Sequence, residues 1–271
     1  MYHFFVEEDQ LLYDDNSDQE NCKAPASRDL SSPGMPSLLY IEGADHNHIA
    51  NVLRLKAGDE ILVSIRGQEN DGRTFLCSID SIERDIVRCN VITDQGTATE
   101  LPSKIYLFQG LPKADKMELI IQKAVELGVF AIVPVAMKRS IVKLDEKKAA
   151  SKTARWQAIS EAAAKQSKRN IIPEVYKPIS YKEALQMAKD LDVRLLPYEN
   201  AKGMEGSREI VSAIKPGQSI AILIGPEGGF DDKEVEMAVE DGFKCLTLGK
   251  RILRTETAGF TMLAWLGYTL E

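Results

Sequence analysis

The chain has 271 residues, of which 44% are hydrophobic and 28% charged, so whole-chain disorder is excluded and about two domains are expected. No apolar run reaches the roughly 18 residues of a membrane-spanning helix, and the first residues do not resemble a secretion signal, so a membrane protein and an exported protein are not expected. The four cysteines never approach CxxC spacing, which argues against a zinc ribbon. The net charge of −7, averaged over the whole chain, argues against a nucleic-acid partner, because affinity for phosphate depends on Lys and Arg.

The first part of the chain predicts a small β-rich domain over residues 1–95. Its short strands follow one another quickly, which is typical of a β-barrel-like fold. A segment rich in Asp, Asn, Ser, Pro and Gly at about 14–36 predicts a flexible insert. The predicted strands are 2–6, 38–41, 61–65, 74–79 and 86–91, with a short helix at 48–53.

The second part, residues 96–271, predicts an α/β domain that follows a linker at 94–102. Strands alternate with long helices from Ile105 onward, which is typical of a parallel sheet covered on both faces. The predicted strands are 105–109, 130–135, one near 175, 193–197, 219–224 and 244–248. The predicted helices are 112–127, 151–169, 180–189, 207–214, 231–241 and 255–270.

A basic block within the second part changes the interpretation of the net charge. Residues 1–100 carry 8 basic and 19 acidic side chains, whereas residues 101–182 carry 16 and 7. Because the local field governs association with phosphate, this block predicts a nucleic-acid contact, although a solvated helix face is the simpler alternative. The candidate RNA contacts are Lys138, Arg139, Lys165, Lys168 and Arg169.

Three loops at strand ends are the candidate binding site, because ligands of open α/β sheets bind beyond the carboxyl ends of strands. The loops follow Leu196, Ile224 and Leu248. The second loop, GPEGGF at 225–230, has three glycines that let the backbone approach a ligand. It lacks the Lys-Ser/Thr of a P-loop and does not match GxGxxG, so it favours a nucleoside without a triphosphate over a nucleotide. The simpler alternative, a tight strand-to-helix turn, explains some of the residues of GPEGGF but not the whole hexapeptide.

The third loop places three basic residues beside the start of a helix, where the helix dipole is already positive. These residues, Lys250, Arg251 and Arg254, predict an anionic partner nearby. The partner is either Glu256 of the same chain, or a phosphate or developing oxyanion of a substrate.

Five segments together resemble a known family. LIGPEGGF (223–230) and LGKRILRTETA (248–258) resemble the two knot-forming motifs of SPOUT-class methyltransferases. The closer resemblance is to the RsmE family, which methylates N3 of a uridine in 16S ribosomal RNA. HIANVLRLKAGDEI (48–61), KMELIIQKAVELGV (116–129) and RWQAISEAAAKQSKRNIIPEV (155–175) are similar to its other signatures.

This resemblance implies a fold, a cofactor and partners. The fold is a PUA-like β-barrel followed by a SPOUT-type domain, a parallel sheet with a trefoil knot. The methyl donor is S-adenosyl-L-methionine, with S-adenosyl-L-homocysteine as product, and the partners are 16S rRNA or the small ribosomal subunit and a second copy of the chain, in the cytoplasm. The implied cofactor-binding residues are Leu196, Pro197, Tyr198, Glu199, Ile224, Gly225, Pro226, Gly228, Leu248, Gly249, Ile252, Leu253, Thr257 and Ala258.

The reaction that the resemblance implies needs no metal, and only His46 and His48 among the three histidines are close in sequence. Uracil N3 must lose its proton to become a good nucleophile, and the resulting charge spreads to the ring carbonyl oxygens. We expect Arg254 to stabilise that charge, and Glu256 to orient Arg254 or assist removal of the proton. The last helix, through Ala258, Met262, Trp265 and Leu266, is expected to pack at a two-fold interface.

Three alternatives remain open from the sequence. One is a knotted methyltransferase that modifies a ribose 2′-hydroxyl of rRNA or tRNA. Another is a non-catalytic RNA-binding factor in ribosome assembly, for which the basic block alone is sufficient. The third is a phosphate-binding enzyme that uses the glycine-rich loop.

Overall fold

The computed structural model describes residues 1–13, 34–67, 72–96, 99–142, 144–198 and 203–271. The chain divides into two units, Met1–Thr99 and Glu100–Glu271. Most of the predicted flexible insert, residues 14–33, lies outside the described residues.

The first unit contains one six-stranded sheet. Its strands are β1 (His3–Val6), β2 (Leu11–Leu12), β3 (Leu38–Glu42), β4 (Glu60–Ile65), β5 (Thr74–Ile82) and β6 (Ile86–Gly96). They lie in the order β1-β4-β5-β6-β3-β2, and β1 pairs parallel with β4 while the other pairs are antiparallel. A helix α1 (Gly43–Asn47) continues into a π-helical turn over His48–Leu53, so this helical segment begins five residues before the predicted 48–53.

Alternation of apolar and polar residues builds the core of the first unit. In β6, Val87 and Cys89 are buried while Arg88 and Asn90 are exposed, as expected for a strand with one face on a core. Cys89 is a free thiol, and its burial raises its pKa to about 12. The predicted linker at 94–102 begins too early, because β6 continues to Gly96 and still pairs with β5 at Thr74.

The second unit alternates strands and helices as predicted. Its strands are β7 (Ile105–Gly110), β8 (Ala131–Ala136), β9 (Glu174–Val175), β10 (Ile179–Ser180), β11 (Val193–Pro197), β12 (Ile220–Ile224) and β13 (Lys244–Leu246). Its helices are α2 (Lys116–Glu126), α3 (Glu146–Ser167), α4 (Tyr181–Ala188), α5 (Met204–Ser212), α6 (Asp232–Glu240) and α7 (Thr255–Leu270).

All pairings in the second sheet are parallel, which confirms the predicted α/β class. The strands lie in the order β10-β8-β7-β12-β11-β13, with β9 beside β8. The central strand β12 is buried at every position, as expected for a parallel sheet that helices cover on both faces. Because all strands run in one direction, the segments after β7, β11, β12 and β13 emerge at the same edge.

Local backbone chemistry shifts several helix boundaries from the predicted ones. The helix predicted from residue 112 begins at Lys116, because Ala114 has a left-handed φ of 51°. The helix predicted from residue 151 begins at Glu146, because the Asp145 side chain caps it by accepting from the Lys148 amide at 2.8 Å. The short strand β10 was not predicted, and its second residue, Ser180, was assigned to the helix that follows.

Candidate active site

The loops after β11, β12 and β13 meet around one cavity of about 510 Å³ at the carboxyl edge of the second sheet. This volume lies in the range of roughly 300–1,000 Å³ that is typical of small-molecule sites. The cavity is lined by Lys116, Pro197, Tyr198, Ile224, Gly225, Pro226, Glu227, Gly228, Gly229, Phe230, Thr247, Leu248, Gly249, Lys250, Arg251, Ile252, Leu253, Arg254, Thr255 and Ala258.

The glycine-rich loop after β12 packs directly against the end of β7. A Cβ atom at Gly110 would lie 2.7 Å from both the Cδ and the N of Pro226, so only glycine fits there. Within the loop, the amide of Gly229 donates to the carbonyl of Pro226 at 2.9 Å, and Gly229 has a left-handed φ of 67°. The loop is therefore a closed turn seated on β7.

Basic residues from the segment after β8 hold this loop from the other side. Arg139 donates from Nη1 to the carbonyl of Gly228 at 3.1 Å, and Lys138 donates from Nζ to Oδ2 of Asp231 at 2.8 Å. The hydrogen bond from Lys138 lowers the pKa of Asp231, which also caps α6 together with Glu234. The loop is thus anchored at both of its ends.

The third loop leads α7 back to the glycine-rich loop. Thr255, the first residue of α7, donates from Oγ1 to the carbonyl of Gly225 at 2.6 Å and accepts from Nε2 of Gln109 at 2.8 Å. Gln109 lies in β7 and is completely buried. These bonds join the ends of β7 and β12 to the start of α7 at the floor of the cavity.

One lysine faces two carboxylates beside the cavity. Lys116 Nζ lies 2.9 Å from Oε1 of Glu227 and 3.6 Å from Oε2 of Glu256. The hydrogen bond to Glu227 raises the pKa of Lys116 above its ordinary value. Burial alone would raise the pKa of Glu227, but hydrogen bonds from Lys116 and from backbone amides, including that of Lys113, outweigh it and hold the pKa low.

Comparison with known proteins identifies the family. The RNA methyltransferase domain family matches residues 99–267, and the RNA methyltransferase PUA domain family matches residues 41–92. Ribosomal RNA small subunit methyltransferase E of Bacillus subtilis is 42% identical over 235 residues, which is 85% of this chain and 90% of that protein. The chain belongs to the ribosomal RNA small subunit methyltransferase E family.

Further relatives extend this family assignment to distant bacteria and to a solved structure. The Aquifex aeolicus member is 30% identical over 224 residues, covering 82% of this chain and 90% of that protein. The crystal structure of the Neisseria gonorrhoeae member bound to S-adenosyl methionine is 31% identical and has a TM-score of 0.75. It covers 97% of this chain and 95% of that chain.

The predicted cofactor-binding residues of this family member do not all line the cavity. Two of them do not line it: Leu196 is fully buried in the core, and Thr257 is exposed on α7. Glu199 lies outside the described residues. The others line the cavity, namely Pro197, Tyr198, Ile224, Gly225, Pro226, Gly228, Leu248, Gly249, Ile252, Leu253 and Ala258. Their roles stay predictions.

The two predicted catalytic residues of this family member take different positions. Arg254 is exposed and lines the cavity at the start of α7. Glu256 lies beside the cavity with a half-buried side chain, and its Oε2 atom is buried without a hydrogen-bond partner among the described residues. The cation that its Oε2 faces is Lys116, rather than the Arg254 that we expected it to orient.

One of the predicted RNA contacts is wrong. The Arg169 side chain is buried, with a residue exposure of 3%, and its guanidinium is bound to Glu100 and donates to the carbonyls of Val125 and Val129 at 3.1 and 2.6 Å. The guanidinium is therefore turned into its own fold and does not face phosphate. Lys165 is half-buried and pairs with Glu161 at 3.0 Å, while Lys138, Arg139 and Lys168 are exposed.

The apolar residues of α7 are also divided differently from the prediction. Met262 and Leu266 are fully buried against their own sheet, so they belong to the core and not to a two-fold interface. Ala258 and Trp265 are half-buried, and Tyr268 is exposed.

Several residues at the site were not singled out from the sequence. Lys116, Glu227 and Gln109 belong to three different segments, and their proximity arises only from the fold. Glu227 had a signal in its position between the glycines of GPEGG, and Lys116 in the motif KMELIIQKAVELGV. Among the described residues, no group of three or more histidine, cysteine or acidic side chains is arranged to hold a metal ion.

Proposed function

We propose that the chain transfers the methyl group of S-adenosyl-L-methionine to N3 of a uridine in 16S rRNA. The observation that carries this proposal is the cavity formed by the three carboxyl-end loops in a member of the ribosomal RNA small subunit methyltransferase E family. The Neisseria gonorrhoeae relative, with 31% identity, binds S-adenosyl methionine, which supports the same donor here.

The residues that line the cavity fit an adenosyl group. Ile224, Leu248 and Leu253 offer apolar surface for the faces of an adenine ring, as is usual in nucleoside sites. Gly225 and Gly228 bring the backbone to the cavity wall, and a Cβ at Gly228 would lie 3.1 Å from the Cβ of Arg139. We therefore assign adenosine recognition to the backbone and apolar side chains of these loops.

Arg254 is proposed as the group that stabilises the negative charge on the uracil ring. The donor, when bound, supplies a methyl group activated by a sulfonium. Loss of the N3 proton leaves charge on the ring carbonyl oxygens, and the guanidinium offers fixed N–H donors for such oxygens. A well-placed donor of this kind lowers the free energy of the transition state by roughly 3–4 kcal/mol.

Glu256 is proposed to accept the N3 proton. Its Oε2 atom faces the ammonium of Lys116 at 3.6 Å, and this contact supports a fixed orientation of the carboxylate beside the cavity. The target base must leave its stack to reach this position. We propose Lys138, Arg139 and Lys168 as contacts for the surrounding phosphates, since all three are exposed.

We propose that the first unit forms a PUA-like barrel that contributes to RNA binding. β1 and β2 lie at opposite edges of its sheet, which would be about 24 Å apart if the six strands were flat. Leu11 follows Val6 by only five Cα-to-Cα steps, which limits the distance between their Cα atoms to about 18 Å. This limit supports a sheet that curls until its edges approach each other.

We further propose that the second unit is knotted and that the chain forms a homodimer in the cytoplasm. The bond from Thr255 to Gly225 supports the knot, because it draws the chain after β13 back onto the loop after β12. Tyr268, with 90% exposure on α7, supports a second copy packed on that helix. No helix in the described part of the chain is long and apolar enough to cross a membrane.

The decisive experiment locates the methyl group. Purified protein is incubated with labelled S-adenosyl-L-methionine and small ribosomal subunits from cells that lack it, and the 16S rRNA is digested to nucleosides for mass spectrometry. We expect N3-methyluridine. A label on a ribose hydroxyl would support the alternative of a ribose methyltransferase, and donor binding without any label in RNA would support a non-catalytic factor.

A further inference from the structure

Lys116 occupies an unusual position at the active site. It is the first residue of α2, where the helix dipole disfavours a cation, and the preceding Asp115 makes no side-chain capping bond. Its side chain is 31% exposed and lines the cavity. A lysine at this position therefore needs compensation from nearby anions.

The compensation comes from two segments far away in sequence. Glu227 belongs to the glycine-rich loop and accepts a hydrogen bond from Lys116 Nζ at 2.9 Å. Glu256 belongs to the first turn of α7, which packs against α2, and lies 3.6 Å from the same nitrogen. One ammonium thus joins three elements of the cavity wall.

The neighbourhood of Lys116 also includes the proposed catalytic arginine. The positive charge of Arg254 acts on Lys116, and both residues line the cavity. Lys116 therefore contacts both carboxylates and feels a second cation. Without it, both partly buried carboxylates would lose this ammonium.

We infer that Lys116 is a positioning residue for methyl transfer, because its ammonium holds Glu227 and Glu256 and so fixes the glycine-rich loop and the first turn of α7 on either side of the cavity. This inference rests on the proposed function. It assigns to Lys116 no contact with the donor or the base. Its effect reaches the reaction through the placement of Glu256 and the neighbouring Arg254.

The test compares two substitutions of Lys116 in the full chain. Lys116→Met keeps most of the length of the side chain and removes its charge, whereas Lys116→Arg keeps the charge. We expect Lys116→Met to lower kcat by about 10- to 100-fold, as small misplacements of catalytic groups do. The affinity for S-adenosyl-L-methionine, measured by calorimetry, should stay within about fivefold, the size of an exposed ion pair. Lys116→Arg should restore most of kcat.

A double substitution tests whether Lys116 acts together with Glu227. If it does, the losses of kcat in Lys116→Met and Glu227→Gln should not multiply in the double variant, because the two side chains form one interaction. Lys123→Met is the matched control, since it removes another lysine of α2 that pairs with a glutamate, Glu126, away from the cavity. It should leave kcat unchanged.

Each outcome has a separate meaning. Wild-type protein that binds the donor but leaves 16S rRNA unmodified would overturn the proposed function. Active wild-type protein with a Lys116→Met variant of normal kcat would overturn only this inference. Equal losses of kcat and thermal stability in Lys116→Met and Lys116→Arg would also overturn it, because the charge would then not be what matters.

Discussion

At the scale of single residues, charge placement separates side chains that a sequence treats as equivalent. Arg254 and Arg169 both follow basic runs, but Arg254 is exposed at the cavity and Arg169 is buried against Glu100. The first is therefore accessible from the cavity, and the second stabilises the fold.

Replacement of Arg254 by alanine should remove most of the methyl transfer without unfolding the protein. We expect kcat to fall about 100- to 1,000-fold, the usual cost of losing one donor to a developing anion. Labelled methyl incorporation into 16S rRNA measures this loss. Lys244→Ala is the control, because Lys244 is an exposed basic residue in β13 that does not line the cavity. Near-normal turnover in folded Arg254→Ala protein would remove Arg254 from the mechanism.

Replacement of Arg169 by methionine should destabilise the protein by about 3–5 kcal/mol, since it leaves Glu100 without its buried partner. It also removes the Arg169 donor from the carbonyls of Val125 and Val129, of which Val125 still accepts from the amide of Gly128. Urea unfolding of the full chain measures the change. Lys168→Met, at the neighbouring exposed position, should shift stability by no more than about 0.5 kcal/mol.

Arg169 also marks a limit of sequence interpretation. Lys168 and Arg169 are adjacent and equally basic, so spacing alone assigns both to a phosphate-binding face. The structure separates them because α3 ends at Ser167 and Lys168 adopts a left-handed φ of 59°. The turn directs the next side chain inward to a carboxylate 69 residues earlier in the chain. Reduced RNA binding by stable Arg169→Met protein would contradict this assignment.

At the scale of elements, the contact between the end of β7 and the glycine-rich loop is the most constrained part of the site. A Cβ at Gly110 would lie 2.7 Å from Pro226 and 3.0 Å from the carbonyl carbon of Gly225, so backbone must move. We expect Gly110→Ala to cost about 1–3 kcal/mol of stability through overpacking. It should also weaken binding of S-adenosyl-L-methionine, because the displaced loop forms the proposed adenosine site.

Calorimetry with the donor and urea unfolding measure the two effects of Gly110→Ala. The matched control is Gly206→Ala in α5, where an added Cβ would meet nothing within 4 Å. An alanine there should instead stabilise the helix by roughly 0.5–1 kcal/mol. Unchanged donor affinity in Gly110→Ala would show that the loop tolerates displacement and that the glycine serves packing alone.

The order of elements was predictable, while their junctions were not. Continuous apolar runs identified β7, β8 and β12, and the apolar stripe of α2 identified its buried face. The left-handed Ala114 and the requirement for glycine at position 110 left no sequence signal, because each depends on a partner or turn formed in the fold. The loops of the site were predictable from their composition, but the contact of Lys116 with Glu227 and Glu256 was not.

At the scale of the whole molecule, the carboxyl groups whose pKa is lowered are concentrated in one unit. Among the described residues, all of them lie in Glu100–Glu271. Hydrogen bonds from backbone amides or from hydroxyl or ammonium groups hold these pKa values low, even where burial opposes them, at Asp145, Glu183, Asp192, Glu227 and Asp231. The folded second unit therefore takes up protons at these groups less readily than its unfolded chain.

Acidification should consequently destabilise the second unit in a defined direction. A lowered folded-state pKa contributes stability that is complete above the unfolded pKa values, about 3.9 for Asp and 4.3 for Glu, and is lost as the pH falls through the folded pKa values.

Both tryptophans, Trp156 and Trp265, lie in this unit, so their fluorescence follows its unfolding alone. The urea midpoint should be constant from pH 7 to 6 and lower at pH 3. Asp192→Asn replaces the ionisable carboxylate that accepts from the Ser219 amide at 2.8 Å by a neutral amide, and should reduce that difference. An equal midpoint at pH 7 and pH 3 in the wild type would contradict the assignment.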